Sequence, residues 1–307
     1  MRKNLACIVF AAFGAGCGGG DSNPDAGVFV DAVGAQEAAA APLPYCTSKP
    51  ALPSVTDLSG TWVARLAGAQ IVTAPIVGTM HILSVYYVVL TIDQRGTDLV
   101  ADGRYCDRTE IDPPGTLAPV VIPDAWAHTE TPVHRTGGFA TGLDGFPVLT
   151  IDPFTEVVGA LASSADALPS KATDRRLVDQ DGDGNPGITI VLNGQSIFGS
   201  IYSVQQQTTS VSAIAVAPTR VEGELAFSSK QNVLGSDPAT IAALYAQSKT
   251  SPDPEVCNGS FVMVKLPDAL IAGGGAQDGG DVDGGEAMDG GTSGCAWVRA
   301  NEAALFQ

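Results

Sequence analysis

The sequence is poor in basic residues and in histidine. Lysine and arginine together number 16 and histidine 3, against 33 aspartates and glutamates, so the formal net charge is −17. Nucleic-acid binding needs clustered lysine and arginine against phosphates, and electrostatic docking on anionic lipid needs the same groups. The composition argues against both, and it makes cations the natural small partners of this surface.

Familiar catalytic motifs are also missing. The chain has no G-x-S-x-G elbow, no H-E-x-x-H pair and no phosphate-binding loop. His128, Glu130 and His134 would lie on the same face of an extended chain and could converge on a metal, but Pro132 interrupts a strand there. A solvated loop is the competing interpretation. A metal-dependent hydrolase that uses these residues is therefore the weakest of the functional hypotheses.

The first 17 residues, MRKNLACIVFAAFGAGC, have the order of an export signal. A basic start precedes an apolar run at 5–13, which is too short to span a bilayer, and small residues then lead to Cys17. The segment resembles the signal of bacterial lipoproteins, although Gly14 stands where that family usually has Leu, Val or Ile. The resemblance implies cleavage before Cys17, a lipid on that cysteine, and an exported protein of the cell envelope, held at the outer membrane. An ordinary secretory signal cut nearby is the alternative.

Composition divides the chain into three parts. After the signal at 1–16, residues 17–44 are rich in Gly, Ala, Asp and Pro, which predicts a disordered tether. Residues 45–307 are predicted to form one β-rich domain, with an unstructured Gly/Asp loop at about 272–294.

Apolar and β-branched runs separated by Gly, Pro and Asp predict strands throughout the domain. The run at 79–92 is apolar on both faces, which suits either the wall of a ligand cavity or a core strand covered on both sides. Residues 221–227 alternate apolar and polar side chains, which is typical of a half-buried strand. Asp237 and Pro238 begin a predicted short helix. Further strands are expected at 61–66, 99–105, 148–151, 188–192, 196–205, 211–216 and 261–266. The fold class is therefore mainly β, an antiparallel barrel or sandwich with one short helix.

Gly60, Thr61 and Trp62 open the first predicted strand. They resemble the G-x-W signature that begins the lipocalin barrel, in which the tryptophan closes the base. The resemblance implies an eight-stranded cup for a small apolar ligand, with Trp62 at the cavity. A sandwich or barrel with a solid core is the alternative.

Six cysteines are present. Cys7 would leave with the signal and Cys17 would carry lipid, which leaves Cys46, Cys106, Cys257 and Cys295. Four cysteines in an exported chain predict two disulfides, with three pairings open. Because no C-x-x-C pair occurs, a zinc site is the weaker interpretation.

Residues 179–187, DQDGDGNPG, place three aspartates at alternate positions. They resemble the first half of an EF-hand-type calcium loop. The implied ligands are the side chains of Asp179, Asp181 and Asp183 and the backbone carbonyl of Asn185. The family's bidentate glutamate at position twelve is replaced by Ile190. Because Asp, Gly, Asn and Pro also favour turns, a plain turn is the competing interpretation.

Together these features predict an envelope-anchored lipoprotein whose β-rich domain has a binding or structural role and is stabilised by one calcium ion. A lipocalin-like carrier is the second hypothesis. The expected partners are the membrane, through the lipid on Cys17, and a small apolar ligand or an envelope protein.

Overall fold

The structure, a computed structural model, describes residues 46–74, 78–112, 119–123, 133–142, 144–194, 197–245, 247–267 and 291–306. The predicted signal at 1–16, the tether at 17–44 with Cys17, and most of the predicted loop lie outside these residues. His128 and Glu130 also lie outside them.

Strands dominate the described residues. In chain order they are β1 (Gly60–Ala74), β2 (Gly78–Arg95), β3 (Asp98–Ile111), β4 (Val120–Val121), β5 (Val133–Thr141), β6 (Pro147–Val158), β7 (Ile188–Asn193), β8 (Phe198–Ala217), β9 (Arg220–Asp237), β10 (Lys249–Pro252) and β11 (Ser260–Lys265). The helices are α1 (Thr240–Tyr245) and α2 (Gly291–Leu305), and a 3-10 turn covers Val256–Asn258. No helix of the described residues is long and apolar enough to cross a membrane.

Eight of the strands form a closed antiparallel ring. Around the ring the order is β1, β2, β3, β5, β6, β8, β9 and β11. Each ring strand pairs with the next one along the chain, and β11 closes the ring on β1, from Trp62 opposite Lys265 to Ala67 opposite Ser260. The prediction of a mainly β, antiparallel fold with a short helix after Asp237 is confirmed, and the architecture is the barrel rather than the sandwich.

Three short strands extend the ring. β7 pairs with the start of β8, and β4 pairs with β7. β10 continues the line of β11 along β1, with Gln70 opposite Pro252. β8 itself is one strand of 20 residues and joins the segments predicted at 196–205 and 211–216. The polar stretch between them stays in the strand because Gln205, Gln207 and Thr209 are buried.

The barrel interior holds two apolar clusters. The base cluster surrounds Trp62 and is covered by residues 46–58, here called the N-terminal strap, which contribute Leu52 and Leu58. The top cluster lies at the other end of the barrel, where α1 and β7 contribute Ile241 and Ile190. Polar side chains are also buried inside the barrel, beside the top cluster to which Tyr86 itself belongs, and we call them the polar layer: Ser84, Tyr86, Arg108, Glu110, Gln205 and Gln207.

The outer face of β1 and β2 is also covered. Val63, Val85 and Tyr87 pack there with Val298 of α2. The strand predicted at 79–92 therefore has both faces covered, one by the barrel interior and the other by a helix. α2 itself was not predicted, and it begins inside the segment that we assigned to a loop.

The four cysteines pair as Cys46–Cys257 and Cys106–Cys295. The first disulfide fastens the N-terminal strap beside β11, and the second fastens α2 to β3. Two disulfides were predicted, and the structure selects one of the three pairings.

Candidate metal centre

The aspartate-rich segment forms the connection that enters β7. A parallel bridge joins Asp179 to Gly187 at its two ends, and the Gly187 N–H donates to the Val178 carbonyl at 2.8 Å. Gly187 has a φ of +91°, and a Cβ there would lie 2.2 Å from the Ser203 carbonyl oxygen on β8. Only glycine fits this position, so the loop is pressed against the barrel wall.

Two of the three carboxylates hold the loop in shape. Asp179 accepts the backbone N–H groups of Asp183 at 3.1 Å and Gly184 at 2.8 Å. Asp183 accepts the N–H of Asn185 at 2.8 Å and the Thr189 hydroxyl at 2.5 Å. Burial raises the pKa of Asp183, but the bonds from Thr189 and Asn185 outweigh it and leave that pKa below its ordinary value.

The third carboxylate, Asp181, is only half satisfied. Its Oδ2 accepts the Thr189 N–H at 2.7 Å, whereas its Oδ1 is buried and has no hydrogen-bond partner among the described residues. Burial raises the pKa of Asp181, and the neighbouring charges of Asp183 and Asp179 raise it further against the lowering effect of the Thr189 N–H. This oxygen is the clearest place in the loop for a cation.

The arrangement can hold a metal ion. Oxygens of Asp179, Asp181 and Asp183 all lie within 4.8 Å of one another. None of the three forms an ion pair with a lysine, arginine or histidine of the described residues. Ile190, at the position of the missing glutamate, is buried in the top cluster and offers no ligand. Three of the four predicted ligand residues are therefore brought together, and the Asn185 side chain donates to Asp183 at 3.1 Å.

A second candidate site is an apolar cavity in the barrel. Its volume is about 40 Å³, and its wall includes Leu66, Leu90, Leu149, Phe154, Phe261 and Met263. Trp62 is fully buried at the base, donates its indole N–H to the Leu58 carbonyl at 2.6 Å, and has Lys265 Nζ 5.7 Å from its ring centre. It packs in the same cluster as the cavity walls but is not itself one of them.

The remaining predicted metal ligand, His134, lies on β5 rather than in a loop. Its Nδ1 is 2.6 Å from a carboxylate oxygen of Asp102 on β3, and the two side chains are 65% and 68% exposed. Strand pairing places these two residues opposite each other. His134 therefore belongs to a solvated surface pair.

Two buried acids on β9 do not follow from the sequence pattern. The alternation at 221–227 predicts that Glu222 and Glu224 face solvent, but they are 8% and 0% exposed. The N-terminal strap covers them, since Thr47 and Lys49 bond to Glu222 at 2.6 Å and 2.5 Å. The alternation at 221–227 cannot reveal this burial, because the strap that covers the two acids lies 170 or more residues away in the sequence.

No protein-family model matches the chain, and no curated protein or solved structure matches it significantly.

Proposed function

We propose that this protein is an envelope-anchored lipoprotein whose barrel domain has a binding or structural role and carries one calcium ion in the 179–187 loop. The observation that carries the calcium site is the buried, unpartnered Oδ1 of Asp181 between two further carboxylates. The lipid anchor rests on the signal-like segment that ends at Cys17.

Calcium suits this donor set better than the other common cations. The ligands are hard carboxylate oxygens, which favour Ca²⁺ or Mg²⁺ over thiophilic metals. Mg²⁺ demands near-octahedral geometry, whereas Ca²⁺ accepts irregular sets of six to eight oxygens that include water. Without the glutamate at position 190 the affinity is expected to be weak, on the order of 10⁻⁴–10⁻³ M, as in extracellular calcium modules.

The role of the ion would be structural. The loop leads directly into β7, whose Ile188, Ile190 and Leu192 belong to the top cluster. Neutralising three neighbouring carboxylates would remove their repulsion and hold the start of β7 against β8. The loop's own hydrogen bonds shape it without an ion, so calcium adds stability rather than creating the fold.

Thermal unfolding of the oxidised protein in EDTA and in millimolar Ca²⁺ tests the site. Calcium at tenfold above its Kd should stabilise the protein by about 1.4 kcal/mol and raise the Tm. Asp183→Ala should lose this shift. Asp144→Ala is the matched control, since Asp144 is a loop aspartate outside the 179–187 segment that accepts the Phe146 N–H. An unchanged Tm in the unmodified protein would reduce the loop to a turn.

A second candidate function, carriage of a small apolar ligand, is supported by the cavity in the barrel. Its volume of about 40 Å³ is small beside the roughly 150 Å³ of an apolar cavity that accepts benzene, so even a compact ligand would have to displace side chains of the wall. Titration with benzene in EDTA, followed by the Tm, tests it. A stabilisation that saturates supports carriage, and no change excludes ligands of this kind.

A further inference from the structure

Glu224 is buried without the partners that a carboxylate normally has. It lies on the outward face of β9 beneath the N-terminal strap and is 0% exposed. Its Oε1 is 2.9 Å from the Sγ of Cys46, and its Oε2 has no hydrogen-bond partner among the described residues. Burying a carboxylate without compensation is costly, so this placement calls for a role.

Glu222, on the same face of β9, is a buried acid whose charge is compensated. Glu222 is bound by Lys49 at 2.5 Å, Arg220 at 2.5 Å and Thr47 at 2.6 Å. Burial raises the pKa of Glu222, but these partners outweigh it and bring that pKa down to about 2. Within the part of the chain that the structure describes, Glu224 makes no such ion pair, and a disulfide lies beside it.

Both sulfurs of that disulfide and a Glu224 oxygen lie within 4.8 Å of one another. Two cysteine thiolates and one carboxylate are a donor set for zinc and similar divalent cations. In a tetrahedral zinc site two sulfurs lie about 3.8 Å apart. The Cα atoms of Cys46 and Cys257 are 5.3 Å apart, so rotation of the two side chains can open the sulfurs to that separation.

We propose that reduction of the Cys46–Cys257 disulfide creates a site for a thiolate-preferring divalent cation such as Zn²⁺. The protein ligands are Cys46, Cys257 and Glu224, with water in the fourth position. The site is separate from the aspartate loop, which offers only oxygens.

The reducing step needs a dithiol. Its thiolate attacks Sγ of Cys257 and expels the Cys46 thiolate, and its second thiol then closes its own disulfide and releases Cys257. Two electrons pass to the cystine, and the two thiol protons of the reagent end on the cysteines or in water. Binding of the cation then displaces the cysteine protons to solvent.

Exposure makes this disulfide the more reactive of the two. Cys257 is exposed, whereas Cys106 is 0% exposed in the cluster that packs beneath α2. A dithiol should therefore reduce Cys46–Cys257 before Cys106–Cys295, which mass spectrometry of alkylated peptides can verify.

The experiment measures binding of Cd²⁺ and Zn²⁺ to protein treated with a limiting dithiol and then freed of it without oxygen. An Asp183→Ala background removes the aspartate loop as a competing site. We expect one equivalent of metal per reduced chain, with thiolate-to-Cd²⁺ charge-transfer absorption, and none in the oxidised protein. Equal binding by both forms, or no binding by the reduced form while circular dichroism shows it folded, overturns the proposal.

Variants distinguish metal binding by the three ligands from general metal binding at the surface. Because even outer-shell partners contribute about 10–100-fold to metal affinity, Glu224→Gln should weaken binding at least about tenfold. Glu222→Gln should leave it unchanged. Cys46→Ser with Cys257→Ser should abolish the absorption and needs no reduction. If Glu224→Gln binds like the unmodified protein, Glu224 is not a ligand and the proposal fails. The calcium test uses oxidised protein, so the two results are independent.

Discussion

Arg108 and Glu110 form a 2.8 Å ion pair inside the barrel, with both side chains 5% exposed. Ser84 donates its hydroxyl to the second oxygen of Glu110 at 2.6 Å. The guanidinium carbon lies 4.9 Å from the centre of the Tyr86 ring. The barrel interior therefore contains paired charge in the polar layer, where a buried pair is tolerated only while both members are present.

Glu110→Gln should destabilise the protein strongly, because it removes the carboxylate charge that pairs with the buried Arg108 guanidinium. We expect a loss of about 3–5 kcal/mol in the free energy of unfolding, measured in urea. Asp93→Asn is the control, since it breaks an ion pair with Arg95 whose side chains are 59% and 85% exposed, and it should cost under about 1 kcal/mol. Equal losses of unfolding free energy in the two variants would show that burial does not determine how much an ion pair contributes to stability.

Leu149→Ala should enlarge the barrel cavity. Leu149 is 0% exposed and lines that cavity, so the variant should lose about 2–5 kcal/mol of stability. Benzene should then raise the Tm of the variant more than that of the unmodified protein. Leu161→Ala, at a side chain 75% exposed, is the control and should change neither the stability nor the effect of benzene on the Tm. A loss of stability at position 149 as small as that at 161 would contradict the burial of Leu149 in the barrel.

Tyr87→Phe should alter stability at alkaline pH. Tyr87 donates its hydroxyl to Glu302 of α2, and burial together with this bond raises its pKa from 10.0 to about 12. A raised folded pKa gives stability that is complete below pH 10 and is lost as pH rises through 12. The free energy of unfolding should therefore fall more steeply between these values in the unmodified protein than in the variant. Parallel urea-unfolding curves across this range would contradict the assignment.

Much of the barrel was predictable because strand signals are local. The alternation at 221–227 and the apolar run at 79–92 depend only on neighbours in sequence. Gly60 and Trp62 likewise marked the start of the first strand correctly. The closure of the ring was not predictable, since pairing of Trp62 with Lys265 joins residues about 200 positions apart.

The missed features share the same cause. α2 starts in a glycine-rich segment with weak helix propensity, and its packing of Val298 on the barrel and the Cys106–Cys295 bond support it from distant strands. Glu224 is buried by the strap, and Gln207 is buried by its bonds to Tyr86 and Gln205. Each depends on a partner that local pattern does not reveal.

The convergence of the three aspartates, in contrast, was predictable from the sequence. The alternate spacing of the three aspartates was enough to predict that they converge, because their separation is only a few residues. The burial of the Asp181 Oδ1 was not predictable, since it depends on how the aspartate loop lies against β7 and β8. Calcium binding itself stays a prediction.

Asp181→Asn should move stability in opposite directions with and without calcium. In EDTA the variant removes a partly buried charge that lies close to Asp179 and Asp183, and its amide can donate to them, so we expect it to gain on the order of 1 kcal/mol. In millimolar Ca²⁺ the same variant lacks a charged ligand and should gain little stability from the ion. The unmodified protein should then be at least as stable as the variant. Urea unfolding of both proteins, in EDTA and in millimolar Ca²⁺, measures this change in their order of stability. A variant that is less stable than the unmodified protein in EDTA would show that the Asp181 charge is already compensated without a metal.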